Sequence, residues 1–403
     1  MKAQPIDTVP RDDIYRPKSA YRRLLRAMTQ AQVRLERKVN ELVSYEQNPF
    51  YFHGALPTFV YWMLILSGLG LLFYYKATLT ESYASMVYLS QVPFGNAIRS
   101  SHRYSADAML LAIYLHIFRV YVTDRHREYR VVPWLTGVAL LLLTYIAGVS
   151  GYLLVGDERS WGLTYHTRYA LESVPLVGAW LAKQFLGGRE ISDYTMIRFL
   201  FFHLFSAIAI FWFIWMHLIR IRRPFMVVTV GIGAAIIGVI LMVSGLFPAE
   251  SYVTVANPHV PPATYEIGDW VYLPAYWLLA VAGPWVTWPV VLGFFALLLV
   301  IPYLLRDSRR NIAHVVRDKC VGCQLCAIDC PYAAIQMVPT WNERKKKPDL
   351  LAVVYPPRCS ECGVCIGSCD FDAIELSSMP YKPIEDLVRD LAPKRAVADA
   401  AGD

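Results

Sequence analysis

Cysteine is missing from the first 319 residues of this 403-residue chain; all eight of its cysteines fall after that point. Disulfides and thiolate metal sites are thereby excluded from most of the sequence. Charge is scarce as well, at 18% of residues against 56% hydrophobic, and the mean hydropathy is positive. That balance excludes a wholly soluble protein and predicts a membrane protein with soluble attachments, too long for one domain. Pro248–Ala282 holds no lysine or arginine at all. The first forty residues lack the apolar core of a secretory signal, so none is expected. The net charge of +7 is distributed over loops and both ends, which argues for membrane topology and against nucleic-acid binding.

Six stretches are apolar for roughly the 20 residues that a bilayer core demands: Thr58–Tyr75, Ile98–Val122, Pro133–Val155, Phe199–Ile219, Phe225–Phe247 and Gly283–Leu305. An even number of spans puts both termini on one side. The N-terminal segment is rich in arginine, and Arg125, Arg127, Arg130, Arg220, Arg222, Arg223, Arg306, Arg309 and Arg310 follow alternate spans. The positive-inside rule then places both ends in the cytoplasm, making this a multi-pass protein of the cytoplasmic membrane. Residues 1–50 read as a basic amphipathic segment, either on the inner membrane face or as a solvated helix. Asp157–Tyr194 reads as a long polar loop outside. Asn342–Asp349 reads as a solvated insert, and residues 381–403 as a tail of low information.

The cysteines form two runs, Cys320, Cys323, Cys326, Cys330 and Cys359, Cys362, Cys365, Cys369. Each reads C-x2-C-x2-C-x3-C, the bacterial spacing for a pair of [4Fe–4S] clusters, in which the fourth thiolate of each run completes its neighbour's cluster. One cluster is therefore expected on Cys320, Cys323, Cys326 and Cys369, the other on Cys359, Cys362, Cys365 and Cys330. Zinc pairs would not need a third and fourth cysteine at these offsets. Disulfides would not use every cysteine in two matching runs. A reducing compartment suits free thiols awaiting clusters, in agreement with the charge-based orientation.

Histidines form a second pattern. His102 and His116 lie in the second span, His203 and His217 in the fourth, and both pairs are fourteen residues apart. Fourteen steps of 100° return a helix to within about 40° of its start, about 21 Å along the axis. Intramembrane ionisable residues are functional candidates by default. Spans two and four run in the same direction, so His102 should meet His203 near the outer face and His116 should meet His217 near the inner face. Each pair suits a six-coordinate haem iron. Close approach to a macrocycle favours glycine, and Gly54 and Gly68 in the first span repeat the period of fourteen, as do Gly137 and Gly151 in the third. Arg99, Arg103, Arg119 and Arg198 lie near the histidines and could hold haem propionates.

The stretches FYYKATLTESYASMVYLSQVPFGNAIRSSHRYSADAMLLAIYLHIFR, WLTGVALLLLTYIAGVSGYLL and RFLFFHLFSAIAIFWFIWMHLIRIRRP resemble the cytochrome b/b6 family of quinol–cytochrome c and plastoquinol complexes. The resemblance covers about Asn48–Pro224 strongly, and Phe225–Leu305 weakly as a counterpart of the short quinol-site subunit. It implies a low-potential haem b on His102 and His203, a high-potential haem b on His116 and His217, and quinone sites beside each. The cysteine-rich end resembles two-cluster bacterial ferredoxins and is no part of the standard family. Three departures stand out. Phe52 replaces the cysteine that carries an extra covalent haem in the photosynthetic branch, so that haem is not expected. Beside it, His53 could donate protons at an inner quinone site or have no role. Gly268, Asp269, Trp270 and Val271 replace the Pro-Glu-Trp-Tyr of the outer quinol site, and Val155, Gly156, Asp157 and Glu158 replace Pro-Trp-Asp-Gln. Asp269 retains a carboxylate, one methylene shorter.

The expected fold is an all-α membrane protein of six spans, a four-helix dihaem bundle plus two helices, joined to an α+β domain with two clusters. The expected divisions are 1–50, a dihaem domain at 51–224, a two-helix region at 225–305, a ferredoxin domain at 306–380 and a tail. Leu305 to Cys320 spans about 50 Å at full extension, so the clusters should sit against the inner face. The expected role is electron transfer between a quinone pool and cytoplasmic iron–sulfur chemistry. The alternative is a conducting anchor for a larger oxidoreductase, without its own outer quinol site. Expected partners are a Rieske protein or multihaem cytochrome c outside, a soluble dehydrogenase or ferredoxin inside, and membrane lipid. Dimerisation and the direction of flow stay open.

Overall fold

The computed structural model describes residues 20–44, 47–122, 126, 130–219, 227–249, 269–304, 312–330, 332–342, 347–355, 358–359 and 363–376. Cys362, Gly268, Lys345, Lys346, the loop arginines other than Arg130 and the tail lie outside them. The described helices, in order, are α1 Ala20–Leu42, α2 Ala55–Leu72, α3 Glu81–Gln91, α4 Gly95–Val122, α5 Val131–Leu153, α6 Glu158–Glu172, α7 Gly178–Leu186, α8 Asp193–Leu218, α9 Val230–Leu246, α10 Pro274–Ala282 and α11 Pro284–Val300. The cysteine-rich end follows as β1 His314–Val315, α12 Leu325–Asp329, β2 Ile335–Asn342, β3 Lys347–Val354, α13 Val364–Gly367 and β4 Ile374–Glu375.

Five helices are long and apolar enough to cross a membrane: α2, α4, α5, α8 and α11 with its 3-10 extension to Tyr303. This makes the chain a multi-pass membrane protein. The expected fifth span is shorter than its sequence run suggests: α9 has 17 residues, about 25 Å of helix, at the low end of what a hydrocarbon core of about 30 Å accepts. These helices are apolar on most faces, as elements surrounded by lipid and other helices must be.

The chain divides into two compact units. The first comprises residues up to Arg125, Val138–Ile214 and Phe225–Ala296. In it α2 packs antiparallel along α4, and the Tyr61 hydroxyl donates to the Ala207 carbonyl of α8 at 2.9 Å. Tyr104 donates to the carbonyl of Phe247 (2.6 Å) and the Ala249 N–H to Ser100 Oγ (2.9 Å), tying the end of α9 to α4.

The expected outer loop Asp157–Tyr194 instead contains α6 and α7. Asp157 caps α6, accepting the Ser160 N–H at 3.0 Å, which satisfies a donor that the first turn leaves orphaned. Trp161 and Leu163 are fully buried, and the Trp288 indole donates to the Ala170 carbonyl at 2.9 Å. A short stretch rich in polar residues concealed this packing face.

The basic N-terminal helix α1 packs against α4. Glu36 is buried and pairs with Arg119 at 3.1 Å, and the hydroxyls of Tyr21 and Tyr121 meet at 3.0 Å. Asn48, wholly buried, joins α1 to the turn before α2: its amide donates to the Glu36 carbonyl (3.0 Å) and Asn40 Oδ1 (2.7 Å) and accepts from the Phe50 N–H (2.9 Å).

The second unit comprises His126–Gly137, Trp215–Pro224 and Leu297 onward. Its cysteine-rich part is small and α+β. β1 pairs antiparallel with β4, matching Val315 to Ile374, while β2 and β3 form a hairpin from Ile335↔Val354 to Asn342↔Lys347. Of the expected solvated insert, Asn342 and residues 347–349 belong to this hairpin, while residues 343–346 lie outside the described residues.

Replacing Asn48 by alanine removes three hydrogen bonds from a site closed to water. A loss of roughly 2–4 kcal/mol is expected, read as a lower thermal midpoint of the purified protein and faster proteolysis within α1.

Candidate functional site

The histidine and glycine periods form one ladder. Helix α2 runs antiparallel to α4, so Gly54 faces His116 while Gly68 faces His102. A Cβ on Gly54 would lie 3.6 Å from His116 Cε1, and one on Gly68 only 3.1 Å from His102 Cε1. The same registration recurs between α5 and α8: a Cβ on Gly151 would lie 3.1 Å from His203 Cε1, and one on Gly137 3.4 Å from His217 Cε1. Each imidazole brings its Cε1–Nδ1 edge close to a neighbouring backbone that has no side chain to displace it.

The residue before each glycine also matters. Ser67 Oγ lies 3.0 Å from His102 Nδ1, Ser150 Oγ 3.5 Å from His203 Nδ1, and Thr136 Oγ1 3.0 Å from His217 Nδ1. The Ala147 carbonyl, four residues before Gly151, accepts from His203 Nδ1 at 2.8 Å. Oxygen acceptors at Nδ1 fix the tautomer and make Nε2 the unprotonated nitrogen suited to a metal. Sequence reasoning missed these three hydroxyls, although a Ser or Thr directly before three of the four periodic glycines was readable.

His102 and His203 lie with ring centroids 6.2 Å apart. Two metal–imidazole bonds of about 2.0–2.1 Å, plus the half-width of each ring, require about that separation. The residues therefore fit a metal held between two axial imidazoles, as in a bis-histidine haem.

The four arginines go different ways. Arg103 contacts Asp107 at 2.5 Å and Asp269 at 2.8 Å, and stacks over Tyr152 at 4.9 Å. Arg119 pairs with Glu36, and Arg198 donates to the Gln184 carbonyl. Arg99 lies near the start of α4. Asp269 is deeply buried and fully engaged: Oδ1 accepts the N–H groups of Val271 (2.7 Å) and Tyr272 (3.1 Å), while Oδ2 accepts from Arg103 and Tyr152.

His53 is buried before α2, its ring 5.6 Å from that of Phe50. Burial, and then the charge of Arg119, lower its pKa from 6.5 to about 4. At neutral pH it is therefore uncharged, a hydrogen-bonding group with no cationic proton to give.

In the second unit, Cys320, Cys323, Cys326 and Cys369 line one small cavity. These are the four residues expected to share a cluster, brought together from both runs. Burial, and then the nearby Cys323, Cys369 and Cys320, push the Cys326 thiol up to about 11. Thiols so placed must exchange protons for a metal to ionise. The two runs fold alike: Gln324 and Gly363 both take positive φ (69° and 76°), as do Ala333 and Asp372 (both 50°). Cys330 Sγ accepts the Ala334 N–H at 3.2 Å, and Cys369 Sγ the Ala373 N–H at 3.3 Å.

Helices that cross a membrane and carry the facing pair His102 and His203, with a cysteine-rich α+β unit in the same chain, define a membrane electron-transfer protein with an attached ferredoxin-type domain. The family described as cytochrome b/b6/petB matches residues 38–225, and the 4Fe-4S dicluster domain matches residues 319–373. Cytochrome b6 of Prochlorococcus marinus strain MIT 9303 is 36% identical over 180 residues, which cover 44% of this chain and 82% of that protein. Cytochrome b6 of strain MIT 9211 is 35% identical over the same lengths. A solved structure titled "Hyperthermophilic respiratory Complex III" shares the fold, with a TM-score of 0.54 and 22% identity, covering 68% of this chain and 83% of that one. The chain belongs to the cytochrome b/b6 family. That family implies haems, and the dicluster domain with its cysteines implies two [4Fe–4S] clusters.

A histidine whose folded-state pKa lies below 6.5 binds fewer protons folded than unfolded, so stability rises with pH between the two values. His53 should contribute fully above pH 6.5, with the contribution lost as pH falls through about 4. His53→Gln is expected to flatten this acid dependence, by roughly 2–4 kcal/mol, in thermal midpoints compared at pH 7 and pH 4.5.

Proposed function

We propose that this chain is the membrane electron-transfer subunit of a quinone-linked redox complex. The observation that carries the reading is the 6.2 Å spacing of the His102 and His203 rings, each lying against a glycine of the neighbouring helix. These two imidazoles would hold the outer haem b through Nε2. By the shared period of fourteen, His116 and His217 would hold the inner haem b, with Gly54 and Gly137 in the same supporting role. Cys320, Cys323, Cys326 and Cys369 would hold one [4Fe–4S] cluster, and Cys359, Cys362, Cys365 and Cys330 the other. When bound, these groups supply single-electron transfer, and the chain supplies spacing, ligand basicity and exclusion of water. Arg99, Arg103, Arg119 and Arg198 are the arginines proposed for propionates. Arg103 could serve there only by leaving one of its carboxylates, and Arg119 by leaving Glu36.

Six spans, with α9 the shortest, would put both ends and the cysteine-rich domain in the cytoplasm, as the arginine distribution indicates. A cytoplasmic dehydrogenase or ferredoxin would then exchange electrons with the clusters, and a Rieske protein or multihaem cytochrome c would lie outside. The fold likeness to a structure titled as respiratory complex III supports assembly with other subunits. His53, neutral and buried beside Gly54, would give or accept a hydrogen bond at an inner quinone site.

A second reading, a conducting anchor without outer quinol oxidation, is favoured by Asp269. Its two oxygens already accept four hydrogen bonds, close to the capacity of a carboxylate. A quinol proton would have to displace one of them.

His203→Ala is expected to remove half of the haem, leaving one bis-histidine spectrum. Gly151→Val should do the same by driving the ring from its place. Cys369→Ser should abolish one cluster signal and leave the other. Wild-type protein with no bis-imidazole iron spectrum would sink the reading. Asp269→Asn separates the two readings in the assembled complex: at least a tenfold loss of quinol oxidation, with haem spectra unchanged, supports an outer site, and unaltered haem reduction supports the anchor.

A further inference from the structure

The second unit brings together three segments that are far apart in sequence. His126–Gly137 leads into α5, Trp215–Pro224 ends α8, and Leu297 onward carries the cysteines. Among the contacts that cross from the first of these to the last, the Arg130 guanidinium stacks over the Tyr332 ring at 4.6 Å. Both side chains are half-buried. Arginine on an aromatic face gains both charge–quadrupole attraction and planar stacking, which a lysine does not reproduce.

The position of each partner gives the contact its meaning. Tyr332 stands two residues after Cys330, whose sulfur accepts the Ala334 N–H in the same turn. Arg130 stands six residues before Thr136, which bonds His217 Nδ1 at 3.0 Å. Six residues of helix amount to about 9 Å. The segment is held on its other side too: the Trp134 indole donates to the Leu298 carbonyl at 2.6 Å and packs on His126 at 5.1 Å. A short, buttressed run therefore links the cysteine turn to the histidine. The cavity of Cys320, Cys323, Cys326 and Cys369 has a different character. Cys323 is exposed, as are Val321 and Phe371 in its lining.

Resting on the ligand assignment proposed above, we infer that Arg130 and Tyr332 fix the centre completed by Cys330 next to the His217 site. Electrons cross at this junction. The centre of Cys320, Cys323, Cys326 and Cys369 is the distal port, where a reduced soluble one-electron carrier delivers. The Cys330 centre and His217 would hold groups that supply single-electron transfer, which needs no bond made or broken and no proton moved, and the chain's part is to keep the two sites side by side. Arg130 and Tyr332 are positioning residues; neither is a ligand.

The test uses the full-length holoprotein, reduced by a flash-photoreduced flavin while haem absorbance is followed. Arg130→Ala and Tyr332→Ala are expected to slow haem reduction at least tenfold, with haem content, iron content and spectra as in wild type. Tyr332→Phe, which keeps the ring, should retain the rate. Hydrogen exchange of the Cys330–Ala334 segment should rise in Arg130→Ala, a readout independent of turnover. Cys365→Ala, which removes the junction centre, should stop rapid haem reduction even though the distal centre remains. Unchanged rate and exchange in Arg130→Ala would overturn the inference, as would rapid haem reduction surviving in Cys365→Ala. Should Tyr332→Ala lose a cluster, Arg130→Ala decides, since it lies on the membrane side of the junction. Missing haem or cluster spectra in wild type would instead count against the proposed function.

Discussion

A flat imidazole can lie against a helix only where that helix offers bare backbone. The arrangement of the bundle depends on this steric condition. It couples α2 to α4 and α5 to α8, because each glycine must stand opposite its histidine in an antiparallel pair. A shift of one residue in either register would place a side chain opposite the ring, where even a Cβ on Gly68 or Gly151 would lie only 3.1 Å from the histidine Cε1. The hydroxyls of Ser67, Ser150 and Thr136 then complete the arrangement by engaging Nδ1. Position and chemistry are set by the same two adjacent residues, a hydroxyl followed by a glycine. At the fourth position His53 replaces the hydroxyl, and there the ladder's symmetry is broken.

Charges in this protein are managed by pairing. Arg103 binds two carboxylates, Asp107 and Asp269, from different parts of the chain. Low-dielectric surroundings make an unpaired charge costly, so such a group holds the segment around Asp269 firmly in place. Catalytic carboxylates are usually left with a lone pair for the substrate. Here backbone N–H groups and a tyrosine take what Arg103 leaves, which gives Asp269 a structural task whatever else it does.

The cysteine-rich domain repeats itself internally. Equivalent residues in both runs take positive φ, and equivalent sulfurs accept equivalent amide hydrogens. Glycine at 363 takes its left-handed backbone at no steric cost, whereas Gln324 takes the same conformation with a side chain. N–H groups directed at sulfur stabilise the thiolate form and so tune whatever metal centre the sulfurs hold.

Much of this was legible in the amino-acid order. Apolar runs marked the long helices, because bilayer thickness sets their length. The period of fourteen marked the facing histidines, because helical geometry repeats there. Cysteine spacing marked the shared cavity, because a cubane dictates it. Other features were not legible. The helices within Asp157–Tyr194 hid behind polar residues, since burial of Trp161 depends on what packs over it. The pairing of Arg103 with Asp269 and the stacking of Arg130 on Tyr332 join residues more than 150 positions apart. Local order determined the periods, lengths and ligand types, which follow from backbone geometry alone. Only the tertiary structure decided which charge meets which, because long-range pairing is selected by the whole packing and leaves no mark in the neighbouring sequence.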